Sequence, residues 1–192
     1  MVGTIGLLAL QGDFPSHEEV LAARGQGTRR VTRPDHLEGL TGLVLPGGES
    51  TTMLRLLHSE GMLAPLRRCL DTGLPVLATC AGLILLAREV HSPDQESLGV
   101  LDLAVDRNGY GRQVHSGVHP LSGRNGFPDC EGVFIRAPRI RATGPGLEVL
   151  ATWAGDPALV RRGPILAATF HPELSDAHPA MDLFLHLVGP GP

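Results

Sequence analysis

Lysine is absent from this chain of 192 residues, and all 16 of its basic residues are arginine. The stretch Gly-Gly-Glu-Ser at 47–50 therefore cannot be a Walker-type phosphate loop, which needs a lysine at a fixed spacing. The arginines are scattered and the net charge is −4, so the sequence offers no basic cluster for nucleic acid.

Cysteine and long apolar runs are also scarce. The three cysteines, Cys69, Cys80 and Cys130, are an odd number without metal-ligand spacing, which argues against a disulfide framework and against a zinc site. No apolar run approaches the length that spans a bilayer, and the first residues lack the charged segment of a signal peptide. We therefore expect a cytoplasmic protein with no membrane segment.

Short apolar runs do occur, and through about residue 90 they alternate with helical patterns. Continuous runs such as 4–10 and Gly42–Leu45 predict buried parallel strands. We expect the first helix to begin at Ser16, which has capping-box spacing to Glu19. The alternation favours a doubly wound α/β sheet, in which functional sites lie at the carboxyl ends of the strands.

From about residue 98 the pattern changes, because apolar and polar residues alternate as they do in antiparallel strands. Such strands are expected at 101–107, 132–136 and 148–153. An apolar strand at 164–170 and a closing helix at about 180–188 follow. Since neither a repeat nor a linker divides the sequence, we expect one domain over residues 1–192.

The stretch 75–86 joins an apolar run directly to a helical pattern, with Cys80 at the junction. A side chain at the apex of such a turn stands clear of the sheet, as in the nucleophile elbow of hydrolases. Small residues on either side, Ala78 and Gly82, permit a tight turn. The start of a helix also stabilises a thiolate. Cys80 is therefore the candidate nucleophile.

A cysteine nucleophile needs a base, and the base needs an orienting group. The sequence His171-Pro172-Glu173 follows the last apolar strand, and residues two apart in an extended segment point the same way. Glu173 can thus hold one ring nitrogen while His171 presents the other to Cys80. A lone cysteine or histidine is usually structural. We give that interpretation to Cys69, Cys130, His17, His36, His58, His91, His115, His119, His178 and His186.

The attack of a thiolate on an amide creates an oxyanion that needs hydrogen-bond donors. The glycines at 47–48 follow another predicted strand, and a glycine backbone can approach a ligand closely and offer an N–H. We assign one donor to the N–H of Gly48 and the second to the N–H of Ala81. A simple glycine turn is the alternative.

Six motifs together resemble a known family. Three are typical of the class I, or triad, glutamine amidotransferases: Pro-Gly-Gly-Glu-Ser-Thr (46–51), Thr-Cys-Ala-Gly-Leu (79–83) and Phe-His-Pro-Glu (170–173). Three more narrow the resemblance to the glutaminase subunits of pyridoxal 5′-phosphate synthase, the PdxT/SNO family: Leu-Gln-Gly (10–12), Arg-Asn-Gly-Tyr-Gly-Arg-Gln (107–113) and Phe-Ile-Arg-Ala-Pro (134–138). The likeness extends over essentially the whole chain.

The resemblance implies an α/β fold of three layers, in which a mostly parallel, flavodoxin-like sheet is flanked by helices and carries an antiparallel extension. It also implies roles for the motif residues. The catalytic triad would be Cys80, His171 and Glu173, and the substrate-binding residues would be Gly48, Glu49, Ser50, Arg107, Ile135 and Arg136. Other roles for several of these residues stay open. Arg107 and Arg136 could form surface ion pairs, Ile135 could contribute only its backbone, and Glu49 could serve a loop hydrogen bond or a partner interface.

The implied activity is hydrolysis of L-glutamine to L-glutamate and ammonia through a thioester on Cys80. The implied partner is a synthase subunit of the PdxS/SNZ type, a (β/α)8 barrel, in a large hetero-oligomer. Pyridoxal 5′-phosphate would be a product, so neither a cofactor nor a metal is expected. The alternatives are another triad glutaminase, serving imidazole glycerol phosphate, anthranilate or nucleotide synthesis, a stand-alone cysteine hydrolase or peptidase, and a regulatory subunit without activity.

Overall fold

The computed structural model describes residues 3–110 and 116–189. The first half alternates strands and helices: β1 (Thr4–Leu8), α1 (Phe14–Ala23), β2 (Gly27–Val31), β3 (Gly42–Leu45), α2 (Ser50–Ser59), α3 (Leu63–Asp71), β4 (Val76–Thr79) and α4 (Ala81–Leu86). The second half is mostly strand: β5 (Ala87–His91), β6 (Leu101–Asp106), β7 (Gly117–Gly123), β8 (Cys130–Phe134), β9 (Arg139–Thr143), β10 (Glu148–Trp153), β11 (Asp156–Arg162), β12 (Ile165–Ala168) and α5 (Pro179–Val188). The end of the 107–113 motif, from Gly111, lies outside the described residues.

A sheet of nine strands in the order β2-β1-β3-β4-β12-β11-β10-β7-β8 forms the centre of the described structure. The first five strands in this order pair in parallel, and the remaining four add on in antiparallel fashion. Strands β5, β6 and β9 form a second, smaller sheet. The predicted α/β class, a parallel sheet with an antiparallel extension, is confirmed.

Two hydrophobic clusters cover the two faces of the large sheet. Along β3, Leu43 and Leu45 belong to one cluster and Val44 to the other, because successive side chains of a strand point to opposite faces. The first cluster includes buried residues of α2, α3 and α4, and the second includes those of α1 and α5. The sheet thus lies between two helical layers, as predicted.

The predicted start of the first helix is wrong. Helix α1 begins at Phe14, and its N-terminal cap is Asp13, whose carboxylate accepts hydrogen bonds from the backbone N–H of Ser16 at 3.4 Å and from its hydroxyl at 2.8 Å. Ser16 therefore lies inside the helix, and the capping box from Ser16 to Glu19 does not form. Pro15 is tolerated in the first turn, since the N–H that it lacks would have no helical partner there.

The helix after Cys80 is also shorter than the run of apolar residues predicts. Helix α4 spans six residues, and the chain then continues directly as strand β5. Across residues 3–110 and 116–189, none of the helices is both long and apolar enough to cross a membrane.

Candidate active site

Cys80 occupies the turn between β4 and α4 with φ 47° and ψ −101°, a conformation that costs energy for any residue except glycine. Hydrogen bonds on both sides fix the turn: the N–H of Cys80 donates to the carbonyl of Ala168 at 2.9 Å, and its carbonyl accepts from the N–H of Ile84 at 3.2 Å. The strand, the sharp turn and the helix are placed as predicted. The side chain of Cys80 is 8% exposed at the end of its strand.

Gly82 explains how the turn can lie so close to the sheet. A Cβ at this position would lie 2.1 Å from the carbonyl oxygen of Leu45 on the neighbouring strand β3. Only a glycine allows helix α4 to begin against that backbone.

His171 and Glu173 follow strand β12, which pairs in parallel with β4 so that Ala168 lies opposite Thr79. The two strands therefore deliver His171 and Cys80 to the same edge of the sheet. Nδ1 of His171 lies 2.8 Å from Oε1 of Glu173, and His171 and Cys80 line the same cavity. His171 and Glu173 are 6% and 3% exposed. The structure thus brings the three predicted residues together at one edge of the sheet, with a hydrogen bond between His171 and Glu173.

The electrostatics of Cys80, His171 and Glu173 favour the charged, protonated form of His171. Burial lowers the pKa of His171, but the interactions of its ring with Cys80 and Glu173 outweigh burial and raise it to about 10. Burial raises the pKa of Glu173, but His17 and His171 outweigh burial and lower it to about 2. A carboxylate that stays ionised beside the ring stabilises an imidazolium, which is the form that faces a thiolate.

The predicted oxyanion loop at 47–50 lies across from Cys80 and is held by the segment after β1. The carbonyl of Gly47 accepts from the N–H of Asp13 at 2.9 Å, and the N–H of Glu49 donates to the side-chain oxygen of Gln11 at 2.9 Å. Gly47 also packs on the base, since a Cβ there would lie 2.4 Å from Cε1 of His171. Both contacts keep this loop close to the candidate nucleophile and base.

Glu49 and Ser50 begin helix α2. The carboxylate of Glu49 caps the helix by accepting from the N–H groups of Thr51 at 3.1 Å and Thr52 at 2.6 Å, and it also pairs with Arg107. The hydroxyl of Ser50 donates to the side-chain oxygen of Gln95 at 2.8 Å. Burial raises the pKa of Glu49, but the hydrogen bonds from Thr52 and Thr51 outweigh burial and lower it to about 2.

A cavity of about 460 Å³ opens between these groups. Most of the predicted site residues line it, namely Gly48, Glu49, Ser50, Cys80, Arg107, Ile135, Arg136 and His171. Ala81 and Glu173 are buried and do not line the cavity. Ile135 is 43% exposed. In the described part of the chain, no group of three or more His, Cys, Asp or Glu side chains is placed to hold a metal ion.

Three residues of the site were missed in the sequence. Gln11 contacts the loop at 47–50, Gln95 contacts Ser50, and His17 lies beside Glu173. A signal for His17 did exist, because it lies four residues before Leu21 on the buried side of α1. A polar residue at such a position needs a hydrogen-bond partner.

Known proteins resemble this chain in sequence over nearly its whole length. The model of the SNO glutamine amidotransferase family matches residues 7–189. Pyridoxal 5′-phosphate synthase subunit PdxT of Thermotoga neapolitana is 50% identical over 186 residues, which are 95% of this chain and 95% of that protein. The subunit PdxT of Koribacter versatilis is 48% identical over 97% of this chain and 96% of that protein.

Solved structures share the fold. The crystal structure of a glutamine amidotransferase matches with a TM-score of 0.90 and 45% sequence identity, over 97% of this chain and 100% of that one. A putative GMP synthase protein from Thermoplasma acidophilum matches with a TM-score of 0.71 over 98% of this chain and 94% of that one. At 21% identity, the second likeness concerns the fold alone.

Proposed function

The chain belongs to the SNO glutamine amidotransferase family, and from this premise we propose that it is the glutaminase subunit of a pyridoxal 5′-phosphate synthase. It hydrolyses L-glutamine to L-glutamate and ammonia. The observation that carries the proposal is that Cys80 and His171 line one open cavity while Nδ1 of His171 is hydrogen-bonded to Glu173. The high sequence identity to subunit PdxT of two bacteria, over nearly the full length, supports the choice of pyridoxal 5′-phosphate synthase as the complex.

The first chemical step is attack by the Cys80 thiolate on the side-chain amide carbon of glutamine. Nδ1–H of His171 donates to Glu173, so Nε2 is the ring atom that takes the proton of the thiol. Protonated His171 then gives this proton to the leaving nitrogen, and ammonia departs. The carbonyl carbon remains bound to Cys80 as a γ-glutamyl thioester.

The second step is hydrolysis of the thioester by water, with His171 again acting as the base. Each step passes through a tetrahedral oxyanion. We assign its stabilisation to the N–H groups of Ala81, next to the nucleophile, and Gly48, on the loop across the cavity. The contacts of Gln11 and Asp13 to this loop support the assignment because they hold it near Cys80.

The cavity also has charges that suit the two ends of a free amino acid. The carboxylate of Glu49 can accept from the α-ammonium group, and the guanidinium groups of Arg107 and Arg136 can hold the α-carboxylate. Ser50 and Ile135 complete the proposed substrate-binding set. Charged groups of both signs in the lining of the cavity favour an amino acid over a neutral amide.

The ammonia released here needs an acceptor, and we propose a synthase subunit of the PdxS/SNZ type in a large hetero-oligomer. Two exposed apolar side chains near the site, Ile135 at 43% and Leu174 at 41%, offer a surface for such a partner.

One domain over residues 1–192 and placement in the cytoplasm remain predictions. Cell fractionation tests the placement.

The test of the proposed function is synthesis of pyridoxal 5′-phosphate by the complex of this chain with its synthase subunit. The wild-type complex should form the product from glutamine, a pentose phosphate and a triose phosphate. With Cys80→Ala it should form the product only when ammonium salt replaces glutamine. Cys69→Ser is the control and should leave both reactions unchanged. Failure of the wild-type complex to use glutamine would refute the proposal.

A further inference from the structure

His17 is a fully buried histidine whose polar contacts all involve one ring nitrogen. Its Nε2 lies 3.2 Å from Oε1 of Glu173 and 3.3 Å from the hydroxyl oxygen of Thr79. The other ring nitrogen, Nδ1, has no partner within residues 3–110 and 116–189. Burial of an imidazole in a hydrophobic layer costs free energy unless hydrogen bonds compensate for it. The contacts of Nε2 therefore compensate for the burial of the His17 ring.

The position of the hydrogen atom in the contact between His17 and Glu173 follows from chemistry. An ionised carboxylate can only accept, so the hydrogen must lie on Nε2 of His17. The same oxygen, Oε1, also accepts from Nδ1 of His171 at 2.8 Å, while Oε2 has no partner among the described side chains and backbone groups. The close contacts of both imidazoles with the Glu173 carboxylate thus converge on one oxygen, and His17 supplies one of them.

The second contact connects His17 to the nucleophile. Thr79 is the last residue of β4 and is fully buried directly before Cys80. His17 comes from α1, on the side of the sheet where the second hydrophobic cluster lies. Its single nitrogen therefore joins the strand end that carries Cys80 to the turn that carries Glu173.

We propose that His17 is a positioning residue, whose Nε2–H fixes the carboxylate of Glu173 relative to the strand end that presents Cys80. The inference rests on the proposed function, since it takes Cys80, His171 and Glu173 as the reacting triad. Without His17, the carboxylate keeps one N–H partner and can turn about its side chain. His171 then loses its fixed orientation toward Cys80, so the effect falls on the chemical step and not on glutamine binding.

Three substitutions separate hydrogen bonding from packing. His17→Leu fills the space without a donor. His17→Gln places an amide N–H at the level of Nε2, and His17→Asn places one only at the level of Nδ1. His178→Asn is the matched control, because His178 is also a buried histidine but caps α5 by accepting from the N–H of Ala180, a task that asparagine performs.

The measurement is glutamine-dependent ammonia release by the complex with the synthase subunit, together with a thermal melt of each variant. Loss of a partner that orients a metal ligand typically costs about 10–100-fold in activity, and we expect kcat to fall by about the same factor in His17→Leu and His17→Asn. The KM for glutamine should stay within about threefold of wild type, as expected when only the chemical step is weakened. His17→Gln should keep most of kcat, and His178→Asn all of it.

Three results would overturn the role of His17: a folded His17→Leu with wild-type kcat, a His17→Gln as slow as His17→Asn, or an equal loss in His178→Asn. If His17→Leu fails to fold, the pair of Gln and Asn variants still decides. The wild-type complex separates this inference from the proposed function. Its inactivity would refute the proposed function and the role of His17 with it, whereas an active wild type beside an unaffected His17→Leu would refute the role of His17 alone.

Discussion

The guanidinium of Arg107 lies 2.7 Å from the carboxylate of Glu49, and both residues line the cavity of the candidate active site. The pair joins strand β6, just before Arg107, to the first turn of helix α2. Glu49 is 48% exposed in its side chain and Arg107 is 16% exposed, so water screens this ion pair and its contribution to stability is small. Because both residues of the ion pair line the cavity, a role in substrate binding explains the pair better than a role in stability does.

We predict that Glu49→Gln weakens glutamine binding more than it slows the chemistry. The substitution removes the charge that would face the α-ammonium group of the substrate. A hydrogen bond to a charged group is worth about 1.5–3 kcal/mol, which corresponds to a rise in KM of about 10–100-fold. Steady-state kinetics of the complex give KM and kcat. Glu60→Gln, at the exposed far end of the same helix, should change neither. A fall in kcat at unchanged KM would contradict the binding role of Glu49.

We predict that Gly82→Ala destabilises the protein and slows it. The new Cβ would lie 2.1 Å from the backbone oxygen of Leu45, which cannot move aside as a flexible side chain can. Overpacking of this kind costs about 1–3 kcal/mol, which urea unfolding measures. Displacement of the turn that carries Cys80 should lower kcat by about 100-fold.

The matched control for that substitution is Gly27→Ala on the edge strand β2. A Cβ there has its nearest neighbour, the carbonyl oxygen of Gly3, at 3.3 Å. This variant should keep the activity of the wild type. An active, stable Gly82→Ala protein would mean that the close approach of α4 to β3 is not required.

The low pKa of Glu173 predicts a specific acid sensitivity. The folded protein holds this pKa at about 2, below its ordinary value of 4.5. The carboxylate therefore contributes stability that is present above pH 4.5 and is lost as the pH falls through about 2. Glu173→Gln cannot titrate at this position. The difference in the free energy of unfolding between wild type and Glu173→Gln should therefore shrink as the pH falls from 4.5 to about 2. Urea unfolding at a series of pH values measures the difference, and a difference independent of pH would contradict the assignment.

The positions of Cys80 and His171 could be predicted because each lies in or beside a short continuous motif. An apolar run, small neighbours and an immediate helical pattern define the turn at Cys80. The apolar strand before His171 indicates a second strand end, and parallel strands share one edge of a sheet. Residue spacing also predicted Glu173 beside His171, but the extended segment assumed for it is wrong, because Pro172–Leu174 form a 3₁₀ turn that follows His171.

Contacts between distant segments could not be predicted in this way. Thr79 lies 62 positions after His17, and Gln95 lies 45 positions after Ser50. No motif links either pair, because their proximity depends on how helices and loops pack on the finished sheet. The start of α1 was missed for a local reason. Ser16 fits a capping box, but Asp13 followed by a proline in the first turn competes with it and forms the cap.

The antiparallel strands β7, β9 and β11 were not predicted either. Strand β7 contains Pro120 and is bounded by Gly117 and Gly123, residues that usually mark turns. Its pairing with β8 and β10 is set by the partner strands. A single sequence therefore gives the parallel half of this fold more completely than the antiparallel half.

The most direct test of the account is ammonia release from glutamine by the complex of the Cys80→Ala chain with its synthase subunit. The control is Cys130→Ser, which removes a thiol that lies outside the cavity and whose pKa burial and Asp129 raise. We predict no release above the uncatalysed background for Cys80→Ala and wild-type release for the control. Ammonia release that persists in Cys80→Ala would contradict the assignment of Cys80 as the nucleophile.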